Sequence, residues 1–165
     1  GGWTMCYTEN ANMVHLQTDT TYTGGYGQAG YRTDCREIAF TDVLYINHDS
    51  GQKAWFYAQS NAPMTIDNIG YNGNGANAGT LFTPNGVAAN TGNYQLMACD
   101  QSWMWVGLMM SGYTGCYKQC GNWCGDTSTR YFRTDGDDGG TYNGVAFNQN
   151  GHTNVSYKTM SVGIR

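Results

Sequence analysis

Apolar and polar residues alternate with period two over several short runs of this chain. Trp3, Met5 and Tyr7 fall on one face of an opening segment, which predicts a strand. The runs Asp42-Val-Leu-Tyr-Ile-Asn47 and Lys53-Ala-Trp-Phe-Tyr-Ala-Gln59 flank His48-Asp49-Ser50-Gly51. Two such runs around a glycine-bearing turn predict a hairpin. Tyr94 to Cys99 reads as a short strand, and Asn154 to Ile164 as the closing one. Trp103-Met-Trp-Val-Gly-Leu-Met-Met110 is the most apolar segment and is expected to be a buried strand. Residues 70 to 93, dense in glycine and asparagine, predict an irregular surface loop. One helix is expected near Cys35 to Thr41, where Asp34 would cap and Glu37 follows three residues later.

Composition narrows the class. The chain has 165 residues, enough for one domain with a real core, and neither an internal repeat nor a linker divides 1–165. Glycine reaches 24 residues against 2 prolines, and aromatics make up 14%, which suits turns and short strands. Charged residues are only 12%, and the net charge of −4 reflects a shortage of lysine and arginine. No basic stripe could follow a phosphate backbone, so nucleic acid is not an expected partner. No apolar run approaches the ~20 residues that span a bilayer, so no membrane span is expected.

The 6 cysteines are spaced C-x3-C-x3-C at their densest, from Cys116 through Cys120 to Cys124, without a C-x-x-C pair. An even count without zinc-ligand spacing predicts disulfides and hence a secreted, extracellular protein. Cys6 with Cys35 would tie the opening strand to the helix-like turn; Cys99, Cys116, Cys120 and Cys124 allow three pairings, and spacing does not choose among them. The chain begins Gly1-Gly2-Trp3, without methionine or a signal peptide, as a processed form or an excised domain would.

Candidate chemistry gathers after the cysteine loop. Asp135-Gly-Asp137-Asp138 places several hard oxygens on a pliable backbone, which suits calcium, and Asp126 is close in sequence. Asn122, Trp123, Tyr131, Tyr142 and Asn143 surround this cluster. Aromatic faces that stack on sugar rings, beside amides that take hydroxyls, form a carbohydrate-binding arrangement. His15, His48 and His152 lie far apart and belong to no nucleophile or metal motif, so no enzyme is expected. Asn154-Val-Ser156 is the one N-x-S/T sequon and falls within the predicted closing strand.

Gly1-Gly2-Trp3-Thr4, Thr114-Gly115-Cys116, Cys124-Gly125-Asp126 and the closing Gly151-His152 to Arg165 together resemble the fibrinogen-related superfamily, and within it the intelectin (X-type) lectins. The resemblance covers both ends and the 99–126 region. It implies a fibrinogen C-terminal-like α+β fold: a twisted antiparallel sheet with short helices, long loops and disulfides, its first and last strands adjacent. It also implies Asp126 as a calcium ligand and His152 as a rim contact.

The expected function is therefore calcium-dependent recognition of glycans or glycoproteins by a secreted, homo-oligomeric lectin domain. Calcium would sit on Asp126, Asp135, Asp137 and Asp138, with Asn122, Trp123, Tyr131, Tyr142, Asn143 and His152 as sugar contacts. Two other classes compete: a self-assembling adhesive matrix protein, and a carrier of an apolar ligand or pigment through Trp103 to Met110.

Overall fold

The computed structural model describes residues 2–10, 14, 16–17, 24–71, 75–77, 79–87, 94–100, 107–111, 131–135, 144–149 and 159–165, with backbone alone at 10, 111, 131, 133–135 and 144–149. The strands are β1 (Thr4–Asn10), β2 (Tyr31–Arg32), β3 (Asp42–Asn47), β4 (Lys53–Ala58), β5 (Leu81–Asn85), β6 (Tyr94–Cys99), β7 (Gly107–Ser111), β8 (Tyr131–Asp135), β9 (Gly144–Gln149) and β10 (Thr159–Ile164). A four-residue helix, α1 (Ile66–Ile69), lies between β4 and β5. Among the described residues, eight strands form one sheet in the order β2-β1-β10-β3-β4-β5-β6-β7, all paired antiparallel, and β8 with β9 forms a separate ribbon.

This corrects the α+β expectation. About 50% of the described residues are strand and 4% helix, and the sheet curls into a half-barrel. The reason is visible in the runs themselves. The apolar runs are short, as in Val43 to Ile46 and Ala54 to Ala58, and turn-forming residues end each run before two helical turns could close. The expected helix at Cys35 to Thr41 is also corrected. Asp34 caps nothing there: its carboxylate accepts from the Arg36 backbone (3.2 Å) and from Arg36 Nε (2.8 Å). A single turn follows, closed by the Ile38 N–H donating to the Cys35 carbonyl (3.2 Å), and it does not continue as helix because Phe40 must reach the core and exchanges backbone hydrogen bonds with Met64 (2.8 and 2.9 Å). Helix instead appears at α1, whose first N–H groups are met by Thr65, with the Asn68 N–H donating to its Oγ1 at 3.2 Å.

The expected loop from 70 to 93 contains β5. Pro84 is tolerated there because β6 pairs only with Leu81 and Phe82, so the proline lies beyond the doubly paired part of the strand. The two ends of the chain do meet: β1 pairs with β10, with a bulge between Met5 and Tyr7. That bulge includes Cys6, which is disulfide-bonded to Cys35. Cys99 is disulfide-bonded as well.

The inner face of the curl carries Tyr7, Val43, Tyr45, Phe56, Phe82, Tyr94, Leu96, Leu108 and Val162, all buried. Curling brings β7, one edge of the sheet, across from β1 and β3. The Leu108 N–H donates to Tyr7 Oη (2.9 Å), and Tyr45 Oη donates to the Leu108 carbonyl (2.7 Å). Burial pushes both phenols up from their ordinary pKa, so both stay neutral. Gly107 is required at this closure: its φ is +107°, and a Cβ would fall 2.7 Å from Tyr7 Oη. Tyr7→Phe is expected to cost about 1–3 kcal/mol, since it strands the buried Leu108 N–H. A urea melt of the variant checks this, and a loss too small to measure would show that the phenol does not hold β7.

Candidate binding groove on the outer sheet face

A sheet packed on one side alone should present polar residues on the other. This sheet does not. Register places Leu44 and Ile46 of β3 opposite Trp55 and Lys53 of β4 on the outer face. Met5 of β1 sits on the same face, across β10 from Leu44, with Gly163 between them. A Cβ on Gly163 would lie 2.6 Å from Met5 Sδ, so the missing side chain lets Met5 lie flat across β10.

Trp3 ahead of β1, Tyr26 from the loop before β2, and Arg165 after β10 complete a depression of about 540 Å3 with Met5, Leu44, Ile46, Lys53 and Trp55. That volume is within the range of small-molecule pockets, ~300–1,000 Å3. Arg165 is anchored by its backbone: its N–H donates to the Asp42 carbonyl (3.0 Å), and its carbonyl accepts from Thr41 and Asp42 (2.8 and 2.9 Å). Its guanidinium lies 4.5 Å from the centre of the Trp3 ring, and its Nε is 3.3 Å from Asp42 Oδ2. Tyr26 is half exposed and packs edge-on against Tyr31 (5.9 Å) and His48 (5.6 Å).

Beside the groove, the loop that carries Tyr26 rests on a polar chain. Gly27 N–H donates to Thr8 Oγ1 (3.4 Å), Thr8 Oγ1 bonds Ser161 Oγ, and Ser161 Oγ is 2.7 Å from His48 Nε2. The serine–histidine distance suits nucleophile activation. Yet Ser161 is fully buried and its oxygen is shared with Thr8, so this network fastens the loop to the sheet.

A second depression, of about 490 Å3, is lined by Asp34, Arg36, Glu37, Ile38 and Asp67. Arg36 holds the Asp34 carboxyl below its ordinary pKa through their hydrogen bonds. Both side chains are partly exposed at the surface, where such pairs contribute little to stability.

Of the residues singled out from sequence, Asn122, Trp123, Asp126, Asp137, Asp138, Tyr142, Asn143 and His152 lie outside the described residues. Tyr131 and Asp135 begin and end β8, opposite Gln149 and Gly144 of β9, with backbone alone described. Cys116, Cys120, Cys124 and the sequon at Asn154 are likewise outside. Among the described residues, no three His, Cys, Asp or Glu side chains gather as a metal site. No helix among them is long and apolar enough to cross a membrane. In the apolar segment, Leu108, Met109 and Met110 are fully buried in β7, so the described half of that segment is core.

Sequence reasoning missed the groove residues Trp3, Tyr26, Lys53, Trp55 and Arg165. A signal was present in β3, where Val43, Leu44, Tyr45 and Ile46 are apolar without alternation, so both faces had to be covered or used. Comparison with protein-family models, curated proteins and solved structures finds no match for this chain.

Proposed function

We propose that this domain recognises carbohydrate and that the outer-face groove is its sugar-binding platform. One observation carries the reading: Trp3 and Trp55 share a single open depression with Tyr26 and two cationic donors. Sugar rings offer apolar C–H faces to an indole and hydroxyls to nearby polar hydrogens, so a flat aromatic wall with a few directional groups suits them. Arg165 already occupies one face near Trp3, which makes Trp55 the stacking wall. The buried Cys6–Cys35 bond agrees with an extracellular setting.

Calcium belongs to this reading as a separate element, through Asp126, Asp135, Asp137 and Asp138. Homo-oligomers would multiply a weak sugar affinity by avidity.

The test is titration of the protein with a panel of defined oligosaccharides, followed by calorimetry and by tryptophan fluorescence, with calcium or with chelator. Trp55→Ala is expected to weaken binding about tenfold or more, roughly 1.4 kcal/mol, at an unchanged melting temperature. Binding that survives both Trp55→Ala and Trp3→Ala would remove the groove from the proposal. Binding that survives chelator would detach calcium from it.

A further inference from the structure

We infer that the groove selects acidic sugars, the anionic group on the ring being read by Arg165 and Lys53. This rests on the carbohydrate reading of the same groove and specifies its ligand class.

Charge is the first argument. The chain has 8 lysines and arginines and a net charge of −4, yet two of those cations line this one depression, and among the described residues no acidic side chain lines it. In a protein that repels polyanions overall, such a local reversal favours a small anionic ligand at that point.

Availability is the second. Lys53 is exposed and forms no ion pair among the described residues. Asp42 meets Arg165 at Nε, which leaves the Nη groups of the guanidinium fork for a ligand. A planar fork fits a carboxylate or a sulfate ester through paired hydrogen bonds.

Geometry is the third. Lys53 and Trp55 alternate onto the same face of β4, about 7 Å apart along the strand. A ring stacked on Trp55 therefore carries its substituents within reach of the Lys53 ammonium. Trp3 holds the Arg165 guanidinium from behind and lowers the entropy lost when it grips an anion.

The experiment compares an oligogalacturonate, its methyl ester and a sulfated galactan oligosaccharide on the intact protein by calorimetry. The ester keeps the ring and loses the charge. The acid should bind about tenfold tighter than the ester, and its advantage should shrink as salt is raised. Lys53→Gln and Arg165→Gln should each bring acid and ester binding close to equal, erasing most of that advantage, with folding followed by thermal melts. Binding of the sulfated sugar alone would assign the anion to sulfate, and binding of the oligogalacturonate alone to carboxylate. Equal binding of acid and ester would overturn the charge selection and leave the aromatic platform standing. Failure of all three sugars to bind would overturn the carbohydrate reading together with this one.

Discussion

Phe132→Ala is expected to destabilise the domain by about 3–5 kcal/mol, the largest effect of any single substitution considered for it. Phe132 belongs to β8 of the ribbon and is fully buried. Its ring lies 4.8 Å from Phe56, 5.0 Å from Tyr45 and 6.5 Å from Tyr94, all on the concave face of the main sheet. Tyr94 Oη donates to the Phe132 carbonyl at 2.7 Å, so side chain and backbone of this residue are both fastened to the sheet. Truncation would leave a cavity bounded by three aromatic rings from three strands, which cannot collapse together without breaking sheet register. Urea unfolding followed by near-ultraviolet circular dichroism measures the loss. A change below about 1 kcal/mol would mean that the ribbon is held to the sheet by something other than Phe132.

The double variant Cys6→Ala/Cys35→Ala is the second. The bond joins residues separated by 29 positions, and both cysteines are buried. Chain-entropy reasoning for a loop of this size gives about 3–4 kcal/mol, lost by freeing the unfolded chain. For a domain of this length that corresponds to a fall of roughly 10 °C in melting temperature. A locally stabilising consequence adds to it. Cys6 lies in the bulge of β1, and Thr33 N–H donates to the Cys6 carbonyl at 2.7 Å, so the bond pins the segment after β2 to β1. Substitution is cleaner than reduction, because Cys99 is also disulfide-bonded and would open with it. Unchanged thermal stability of the double variant would show that the β1–β10 pairing alone fixes this end of the fold.

Local pattern was a good guide where short apolar runs and their turn appear together. The hairpin of β3 and β4 was legible for that reason, with Asn47 to Gly51 closing it. The pattern failed where side chains answered to distant partners. Cys35 to Thr41 carries a helix-like start, but Phe40 is drawn to Met64 and Asp34 to Arg36. Leu81 to Asn85 is masked by its glycine- and asparagine-rich surroundings, and it becomes a strand because Phe82 has Ala58 and Tyr94 on either side.

The same division runs through the candidate chemistry. Sequence drew attention to residues near one another in the chain, such as the aspartates at 135, 137 and 138. The groove is made of residues as far apart as Trp3 and Arg165, with Tyr26, Lys53 and Trp55 between them in sequence. No spacing rule finds such a set, because β1, β10, β3 and β4 become neighbours only when the sheet has formed.

By itself, then, the sequence determined strand-rich local structure and a hairpin, because side-chain alternation and turn chemistry act over a few residues. Tertiary structure alone decided that β7 curls across to Tyr7 and Tyr45, and that two tryptophans and two cations share one face. Those outcomes depend on which buried surfaces and backbone donors satisfy one another across the whole chain, and such contacts have no fixed spacing along it.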